Sequence, residues 1–399
     1  MHRRAYSDAD DDSEQYVRLI HITTIAESLG FLRGQLGYMK ARGFEITAIS
    51  SPGQYLEGFA ESEQIEARSV EMSRQITPMA DIGSLFRLYR QLRELRPTIV
   101  HSHTPKGGLL GSIAALMARV PIRVYHMRGL PMLTATGRRR ELLRWTERVA
   151  CMAAHEVICV SSSLRDVAIA ERLCPSWKIK VLASGSGNGV DTERKFDPDV
   201  IGASARAATR ARLGIPKDAL VIGFLGRLVR DKGVLELLEA WRTLSKELPD
   251  LHLFVLGALE QRDAIPANAV DLLTSDPRVH WAGHDWNTPP LYAAMDVVAL
   301  PTYREGFPNV PLEAAAMQLP IVGTSVPGCV DAIEDGVTGL LVPPRDALAL
   351  TAALRRYLLD PELRAAHGAA GRARVRSLFR QEVIWKALHA EYVALLASA

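Results

Sequence analysis

The chain has 399 residues, 48% of them hydrophobic, and a formal net charge of +3. This length predicts two domains rather than one core, and the small charge gives no general case for nucleic-acid binding. The four cysteines lack the spacing of a zinc site, so we expect buried free thiols.

The first 15 residues are polar and acidic, and they lack the apolar core of a signal peptide. We interpret 1–15 as a disordered tail. No stretch of the sequence reads as a spanning helix. We therefore expect a protein that is made and kept in the cytoplasm.

Strands and helices alternate in the first half of the chain. Apolar runs predict strands at 17–22, 44–49, 98–101, 123–126, 156–160 and 178–182. Helical periodicity occurs between them, for instance over 85–96. This alternation predicts a parallel sheet that is covered on both faces.

The alternation restarts after a polar segment, 188–199, which we interpret as a linker. The later strands are predicted at 220–224, 251–256, 279–281, 297–300, 321–323 and 339–342, with a short helix at 291–295. Two doubly wound domains of this kind enclose a cleft, and ligands bind such sheets at the carboxyl ends of their strands. A last helix is predicted over 381–396.

One turn of the second domain carries two carboxylates. The strand 297–300 is followed by the turn 305–309, and a helix that begins near Val310 carries Glu313. The first N–H groups of this helix favour an anion, while Glu305 and Glu313 can accept hydrogen bonds from hydroxyl groups. The pattern indicates a ligand with an anionic part and a sugar part, although two solvated surface glutamates would give the same pattern.

A second motif, GRLVRDKG at 226–233, follows the first strand of the second domain. Gly226 permits a close backbone approach, and Arg227 and Lys232 place two cations at a strand end. Arginine can bind a phosphate with two hydrogen bonds and lysine adds a point charge. The alternative is a charged surface turn in which Asp231 pairs with a neighbour.

The corresponding position in the first domain is HSHTPKGG at 101–108. His103 and Lys106 follow a buried strand and precede a helix. A single histidine is more often structural, but at a strand end that faces the other domain His103 is a candidate to contact the ligand.

Other nucleotide motifs are absent from the sequence. It contains neither GxxxxGK[ST] nor GxGxxG, which argues against a kinase-like or nicotinamide enzyme. The spacing Asp-x-Asp occurs at 8–10 in the predicted tail and at 197–199 in the predicted linker. We therefore expect no metal and no cofactor, with Arg227 and Lys232 neutralising a diphosphate instead.

One segment, 136–150, is strongly basic. Its arginines alternate with apolar residues as in an amphipathic helix: Arg138, Arg139, Arg140, Arg144 and Arg148 accompany Leu142, Leu143, Trp145 and Val149. Such a helix is typical of a membrane surface. An ordinary surface helix that packs its apolar side on the sheet is the other interpretation, and both stay open.

These motifs together resemble the family-4 (group 1) retaining glycosyltransferases. The resemblance lies in EGFPNVPLEAAAMQLPIVGT, GRLVRDKG and PGCVDAIEDGVTGLLVPP, and it continues through VHSHTPKGGLLG and YHMRGLPMLTATGRRRELLRWTERVA in the first half. The first-half segments are similar to a bacterial branch of diacetylbacillosaminyl-diphospho-undecaprenol N-acetylgalactosaminyltransferase-like and other capsule or lipopolysaccharide enzymes.

The resemblance implies a GT-B fold, an α/β architecture of two facing Rossmann-like domains. We place the acceptor domain at 16–190 and the nucleotide-sugar domain at 191–380, with the helix 381–399 crossing back to the first domain. The resemblance assigns the diphosphate to Arg227 and Lys232, the ribose to Glu313, and the donor sugar and phosphate to a run of six residues: Glu305, Gly306, Phe307, Pro308, Asn309 and Val310. It places His103 near the donor sugar and Arg128 at an acceptor or phosphate.

The sequence therefore predicts a glycosyltransferase that uses a nucleotide-sugar, with a UDP-sugar as the usual donor in this family. Its partners would be a glycan or lipid-linked acceptor and the inner membrane, through Lys106, Arg128, Arg138, Arg139, Arg140 and Arg144. The alternatives are a GT-B sugar-nucleotide epimerase or phosphorylase, and a non-catalytic sugar-nucleotide-binding subunit of a polysaccharide assembly complex.

Overall fold

The computed structural model describes residues 16–260, 263–285 and 287–399. The tail predicted for 1–15 lies outside the described residues. The elements are labelled below in chain order, and they form two parallel sheets with helices on both faces.

The first half of the chain supplies seven strands among the described residues. They pair in the order β3-β2-β1-β4-β5-β6-β7, and all the pairs are parallel. The elements are β1 Val17–Ile22, α1 Gln35–Lys40, β2 Phe44–Ser50, α2 Gln54–Glu63, β3 Glu66–Ser69, α3 Pro78–Leu95, β4 Ile99–His103, α4 Pro105–Met117, β5 Ile122–Met127, α5 Gly137–Ala153, β6 Glu156–Cys159, α6 Ser162–Ala170 and β7 Ile179–Val181.

The second half supplies six strands within its described segments, in the order β10-β9-β8-β11-β12-β13, again parallel. The elements are α7 Pro198–Leu213, β8 Leu220–Leu225, α8 Val234–Glu247, β9 Leu251–Leu256, α9 Ala267–Ser275, β10 Val279–Trp281, α10 Pro289–Ala293, β11 Val297–Leu300, α11 Asn309–Ala316, β12 Ile321–Thr324, α12 Cys329–Ala332, β13 Gly339–Val342, α13 Ala347–Leu359, α14 Pro361–Leu378 and α15 Gln381–Ala397.

The strand order reverses direction at one point in each sheet. In the first sheet this point lies between β1 and β4, and in the second it lies between β8 and β11. Open α/β sheets leave a crevice beyond the carboxyl ends of such strands. The segments 226–233 and 301–309 follow β8 and β11, so the fold brings the two second-domain motifs to one crevice.

The last helix, α15, packs against the first sheet. The Tyr392 hydroxyl lies 2.5 Å from Nδ1 of His101 in β4, and Nε1 of Trp385 donates to Oδ1 of Asn188 at 2.7 Å. Tyr392 and Leu388 belong to the same apolar core as Leu19 and Ile99. The end of the chain thus helps to cover a sheet that begins near its start.

The structure corrects the sequence prediction at three elements. The strand β3 was missed because Glu66–Ser69 lacks apolar alternation and pairs at the edge of the sheet with β2. The helix α7 begins at Pro198, inside the predicted linker, where Asp197 caps it. The short helix α10 ends at Ala293 rather than continuing to 295.

Candidate active site

A cavity of about 120 Å³ lies between the two domains, beyond the carboxyl ends of β5, β8 and β11. It is lined by Arg128, Gly129 and Leu130 of the first domain and by Arg227, Asp231, Lys232, Arg304, Glu305 and Gly306 of the second. A larger cavity lies beside Arg18 and Glu45 at the opposite ends of the strands. The fold gives no reason to expect a ligand there, so we take the cavity between the domains as the candidate site.

The two second-domain motifs contact each other through their backbones. Gly233 has a φ of +70°, and a Cβ there would lie 1.9 Å from the carbonyl oxygen of Pro301. The N–H of Tyr303 donates to the carbonyl oxygen of Asp231 at 2.8 Å. Glycine is therefore required at 233 both for its conformation and for its close packing. This contact fixes the positions of the two loops relative to each other.

Three cations of the second domain each face a carboxylate at this site. The Lys232 ammonium forms an ion pair with Glu305. The other two pairs join Nη1 of Arg227 to Oε2 of Glu260 at 2.8 Å, and Nε of Arg304 to Oδ2 of Asp231 at 2.8 Å. The sequence motifs did not indicate Arg304, although it adjoins Glu305 in the same turn, nor Glu260, which lies 33 residues from its partner.

Glu313 lies on α11, where the Tyr292 hydroxyl donates to its Oε2 at 2.9 Å. Burial raises the pKa of Glu313 above its ordinary value, while this hydrogen bond opposes the shift. Tyr292 engages one of the two carboxylate oxygens and fixes the orientation of the group. This arrangement suits a carboxylate that accepts hydrogen bonds from a ligand.

The helix α11 begins at Asn309 with Pro308 at its N-cap, so Pro308, Asn309 and Val310 surround the predicted helix start. Phe307 packs against apolar clusters of both domains, and its ring lies 5.4 Å from that of Phe379. The structure therefore places Phe307 in the contact between the domains, which the sequence pattern did not indicate.

Gly306 contacts the first domain directly. A Cβ at this position would lie 1.9 Å from the carbonyl oxygen of Arg128. The Ser161 hydroxyl, at the N-cap of α6, donates to the carbonyl oxygen of Gly306 at 2.8 Å. Nearby, Asp331 of α12 accepts from the backbone N–H groups of Ser162 and Ser163 at 3.0 and 3.1 Å. These bonds join the turn 305–309 and the helix α12 to the first domain.

His103 is buried and does not line the cavity, whereas Arg128 does. Nε of Arg128 donates to Nδ1 of His103 at 3.2 Å, and Nε2 of His103 lies 2.9 Å from Nδ1 of His21. Burial, together with the nearby Arg128 charge, holds the pKa of His103 well below its ordinary value. His103 is therefore neutral at physiological pH and lies behind Arg128.

A group of three histidines could hold a metal ion among the residues that the structure describes. One ring nitrogen from each of His21, His101 and His103 lies within 4.8 Å of the others. The Arg128 guanidinium beside His103 opposes a bound cation at this place. The expectation that the enzyme needs no metal stays a prediction.

The predicted acceptor and membrane residues separate into two groups. The Lys106 ammonium is bound by Asp81 of α3, with its Nζ 2.7 Å from Oδ1, and it does not line the cavity. Arg140 and Arg144 form ion pairs with Glu141 and Glu171.

The remaining arginines of α5 lie on its outer side. Arg138 and Arg139 are exposed, and the guanidinium of Arg148 lies 5.0 Å from the ring of Trp145. Within the described ranges, no helix is both long and apolar enough to cross a membrane.

Comparison with known proteins identifies both halves of the chain. Residues 205–374 match the family model of group 1 glycosyl transferases, and residues 31–185 match a glycosyl transferase 4-like domain. The capsular polysaccharide biosynthesis glycosyltransferase CapM of Staphylococcus aureus is 32% identical over 379 residues, which cover 95% of this chain and 97% of that protein. An Escherichia coli relative, UDP-Gal:α-D-GlcNAc-diphosphoundecaprenol α-1,3-galactosyltransferase, is 28% identical over 73% of this chain and 74% of its own.

Solved structures agree on the fold. A glycosyltransferase of Rickettsia africae gives a TM-score of 0.78 at 19% identity, covering 96% of this chain and all of the other. HepE of Anabaena, in complex with UDP and glucose, gives 0.78 at 20% identity with the same coverage. These similarities confirm the GT-B fold. The chain belongs to the group 1 glycosyltransferases.

Proposed function

We propose that this group 1 glycosyltransferase transfers a sugar from a UDP-sugar to a polyprenyl-diphosphate-linked or other cell-surface glycan acceptor, with retention and without a metal. The observation that carries the proposal is the cavity between the domains, which Arg227, Lys232 and Glu305 line with two cations and a carboxylate. The name of the E. coli relative specifies a UDP-sugar donor and a diphosphoundecaprenol acceptor. This supports placing the chain in the branch of diacetylbacillosaminyl-diphospho-undecaprenol-type enzymes, with a UDP-N-acetylhexosamine as the first donor to test.

The donor would occupy the second-domain side of the cavity. Arg227 and Lys232 bind the diphosphate, Glu313 accepts from the ribose hydroxyls, and Glu305 accepts from hydroxyls of the donor sugar. Lys232 and Glu305 form an ion pair with each other. A bound donor must therefore either separate the two side chains or bind both of them while the pair stays intact. In the donor, the diphosphate and the sugar are directly bonded, so one molecule can contact Lys232 and Glu305 at the same time.

The reaction would proceed by front-face substitution. The bond between the anomeric carbon and the distal phosphate oxygen breaks, and its electron pair leaves with that oxygen. The acceptor hydroxyl oxygen forms the new bond on the same face, and its proton passes to the leaving phosphate. Arg227, Lys232 and the N-terminus of α11 stabilise the charge that grows on the diphosphate.

A mass-spectrometric screen of sugar nucleotides with polyprenyl-diphosphate-linked sugars tests this function. We expect one glycosylated product, UDP released only when acceptor is present, and retained anomeric configuration by NMR. An epimerised sugar nucleotide formed without acceptor would instead identify an epimerase. Donor binding with no product under any acceptor would favour a non-catalytic subunit.

The outer face of α5 is the part of the structure that supports membrane contact at the cytoplasmic face. Leu142, Trp145, Val149 and Met152 are exposed at spacings of three and four residues, so they share one side of the helix. Arg138 and Arg139 at the start of the helix are also exposed. Exposed apolar residues beside free cations fit a membrane with anionic lipids.

Liposome flotation tests this contact. Vesicles of phosphatidylcholine with phosphatidylglycerol should carry the wild-type chain upward, and the double variant Leu142→Ser/Trp145→Ser should stay at the bottom. Leu348→Ser/Leu359→Ser is a matched control, because these residues are also exposed but lie on α13 of the second domain. If the wild-type chain does not float, α5 is an ordinary surface helix.

A further inference from the structure

Arg128 differs from the other cations of the cavity in its partners. Its Nη2 lies 3.5 Å from the carbonyl oxygen of Gly187, and its Cζ lies 5.2 Å from the centre of the Phe31 ring. Its strongest contact is the Nε–His103 hydrogen bond of 3.2 Å. No carboxylate among the described residues forms an ion pair with it. Arg128 therefore adds a positive charge to the cavity that no side chain neutralises.

Two glycines lie against Arg128, Gly187 beside its side chain and Gly306 beside its backbone. A Cβ at Gly187 would lie 2.1 Å from Nη1 of Arg128, and a Cβ at Gly306 would lie 1.9 Å from its carbonyl oxygen. The side chain therefore lies in a space that exists only because residue 187 has no side chain. An arginine held in this way loses little further conformational freedom when it binds an anion.

Two hydrogen-bonded histidines, His103 and His21, hold the Nε side of the Arg128 guanidinium. Because Nδ1 of His103 accepts from Arg128, its Nε2 carries the proton and donates to Nδ1 of His21 at 2.9 Å. Burial lowers the pKa of both histidines, and the charge of Arg128 lowers them further. A neutral His103 is the acceptor that a guanidinium requires, whereas a protonated one would repel it.

We propose that Arg128 binds a diphosphate in the cavity and that His103, held by His21, is the residue that positions Arg128. The inference rests on the proposed function, because both a UDP-sugar and a polyprenyl-diphosphate acceptor carry a diphosphate. It replaces the interpretation in which His103 contacts the donor sugar, since the His103 side chain is 1% exposed and Arg128 lines the cavity instead.

Titration calorimetry on the full chain tests the role of Arg128. We expect Arg128→Gln to weaken binding of inorganic pyrophosphate roughly 10- to 100-fold, the effect of one lost charged hydrogen-bonding partner. Arg128→Lys should recover part of this loss through its charge. Unchanged pyrophosphate affinity in Arg128→Gln would overturn the proposal.

Two further measurements identify the source of the diphosphate. A parallel loss of UDP affinity assigns Arg128 to the donor. Retained UDP affinity, with a raised KM for a diphosphate-linked acceptor, assigns it to the acceptor. If the wild-type chain binds pyrophosphate but not UDP, the proposed donor is wrong while the diphosphate site stands.

A double-mutant cycle tests the positioning role of His103. His103→Leu removes the acceptor and should reproduce the affinity loss of Arg128→Gln, whereas His103→Asn keeps an acceptor near Nδ1 and should retain most of the affinity. In the Arg128→Gln background, His103→Leu should add nothing, because it acts only through Arg128. A loss that persists there would mean that His103 contacts the ligand itself.

His126→Leu is the matched control for this cycle. His126 is buried beside His101 and His103, but neither of its ring nitrogens has a hydrogen-bond partner among the described residues. The control should therefore leave pyrophosphate affinity unchanged. Thermal unfolding of each variant shows whether it folds, so that a loss of binding can be assigned to the site.

Discussion

Among the described residues that line the cleft, the second domain presents three cations that each face a carboxylate, whereas the first domain presents one cation that faces none. The second-domain wall is close to neutral, because its three ion pairs balance in charge. Of these described residues, Arg128 therefore supplies the net positive charge. Side chains that form ion pairs with one another are held in position before a ligand binds. An unpaired cation, in contrast, attracts an anion.

Carboxylates inside the domains also differ in their partners. In the second domain, Asp296 pairs with both Arg206 and Arg210. In the first, Glu147 is buried and its Oε2 accepts a 2.7 Å hydrogen bond from the Tyr125 hydroxyl rather than a cation. Burial of a carboxylate therefore does not by itself imply an ion pair, and variants of Asp296 and Glu147 separate the two cases.

The largest effect is expected where a buried pair is broken. The Arg210 side chain is 2% exposed and its Nη2 lies 2.9 Å from Oδ2 of Asp296. Asp296→Ala would leave this guanidinium uncompensated and should reduce the free energy of unfolding by about 3–5 kcal/mol, measured in urea. Asp199→Ala, whose side chain is 93% exposed, is the control and should change stability little. Equal effects of both would show that the pair does not matter.

Arg227→Ala tests the paired wall in catalysis. We expect turnover to fall roughly 10²–10³-fold, as for other lost groups that stabilise a transition-state charge, in steady-state assays with saturating donor. Arg230→Ala is the matched control: it is an exposed arginine of the same loop that does not line the cavity. Normal turnover in Arg227→Ala would remove this residue from the reaction.

We expect the buried Glu147, which has no ion-pair partner among the described residues, to make the stability of the chain depend on pH. Burial raises its pKa from an ordinary 4.5 to about 7, despite the Tyr125 hydrogen bond. The folded chain therefore keeps a proton that the unfolded chain releases. The contribution of protonated Glu147 to the free energy of unfolding is fully present below pH 4.5 and is lost as the pH rises through 7. The loss amounts to roughly 3 kcal/mol.

Unfolding in urea at several pH values measures this contribution. Glu147→Gln stays neutral throughout, so the decline between pH 4.5 and 7 should be smaller than in the wild-type chain. Parallel curves for the two chains would mean that Glu147 is ionised when folded.

The smallest change in stability is expected from loss of the hydrogen bond between Ser161 of the first domain and Gly306 of the second. The Ser161 hydroxyl accepts from the N–H of Leu164 and donates to the carbonyl oxygen of Gly306. Ser161→Ala should therefore cost about 1–2 kcal/mol of stability in thermal unfolding, through the lost cap and the lost bond. Ser162→Ala is the control, because that side chain is exposed at the next position. A similar cost for both would contradict a specific role for Ser161.

The second-domain wall could be predicted from the sequence because its features are local. The two loops follow strands whose apolar runs are clear, and Gly, Pro and charged residues mark their ends. Pairing of β8 with β11 then brings Arg227, Lys232 and Glu305 to one place. The position of each motif directly after a predicted strand was enough to predict that Arg227, Lys232 and Glu305 lie at one sheet edge, but not that Glu260 and Arg304 join them.

The first-domain wall could not be predicted in the same way. The relation of His103 to Arg128 depends on the parallel register of β4 with β5, and that of His103 to His21 spans 82 residues. Lys106 finds its partner Asp81 on another helix. Likewise, Gly108 permits α4 to pack on β5, since a Cβ there would lie 2.1 Å from the Tyr125 ring. Sequence spacing carries no information about such contacts between distant elements.

Gly306 lies where the backbones of the two domains come closest to each other at the cleft. Its conformation suits any residue, since its φ is not positive, yet one added methyl group would collide with the Arg128 backbone. Gly306→Ala would thus leave each sheet free to fold while holding the two domains further apart. Glycine at this position therefore sets how closely the two domains approach each other, rather than the shape of a turn.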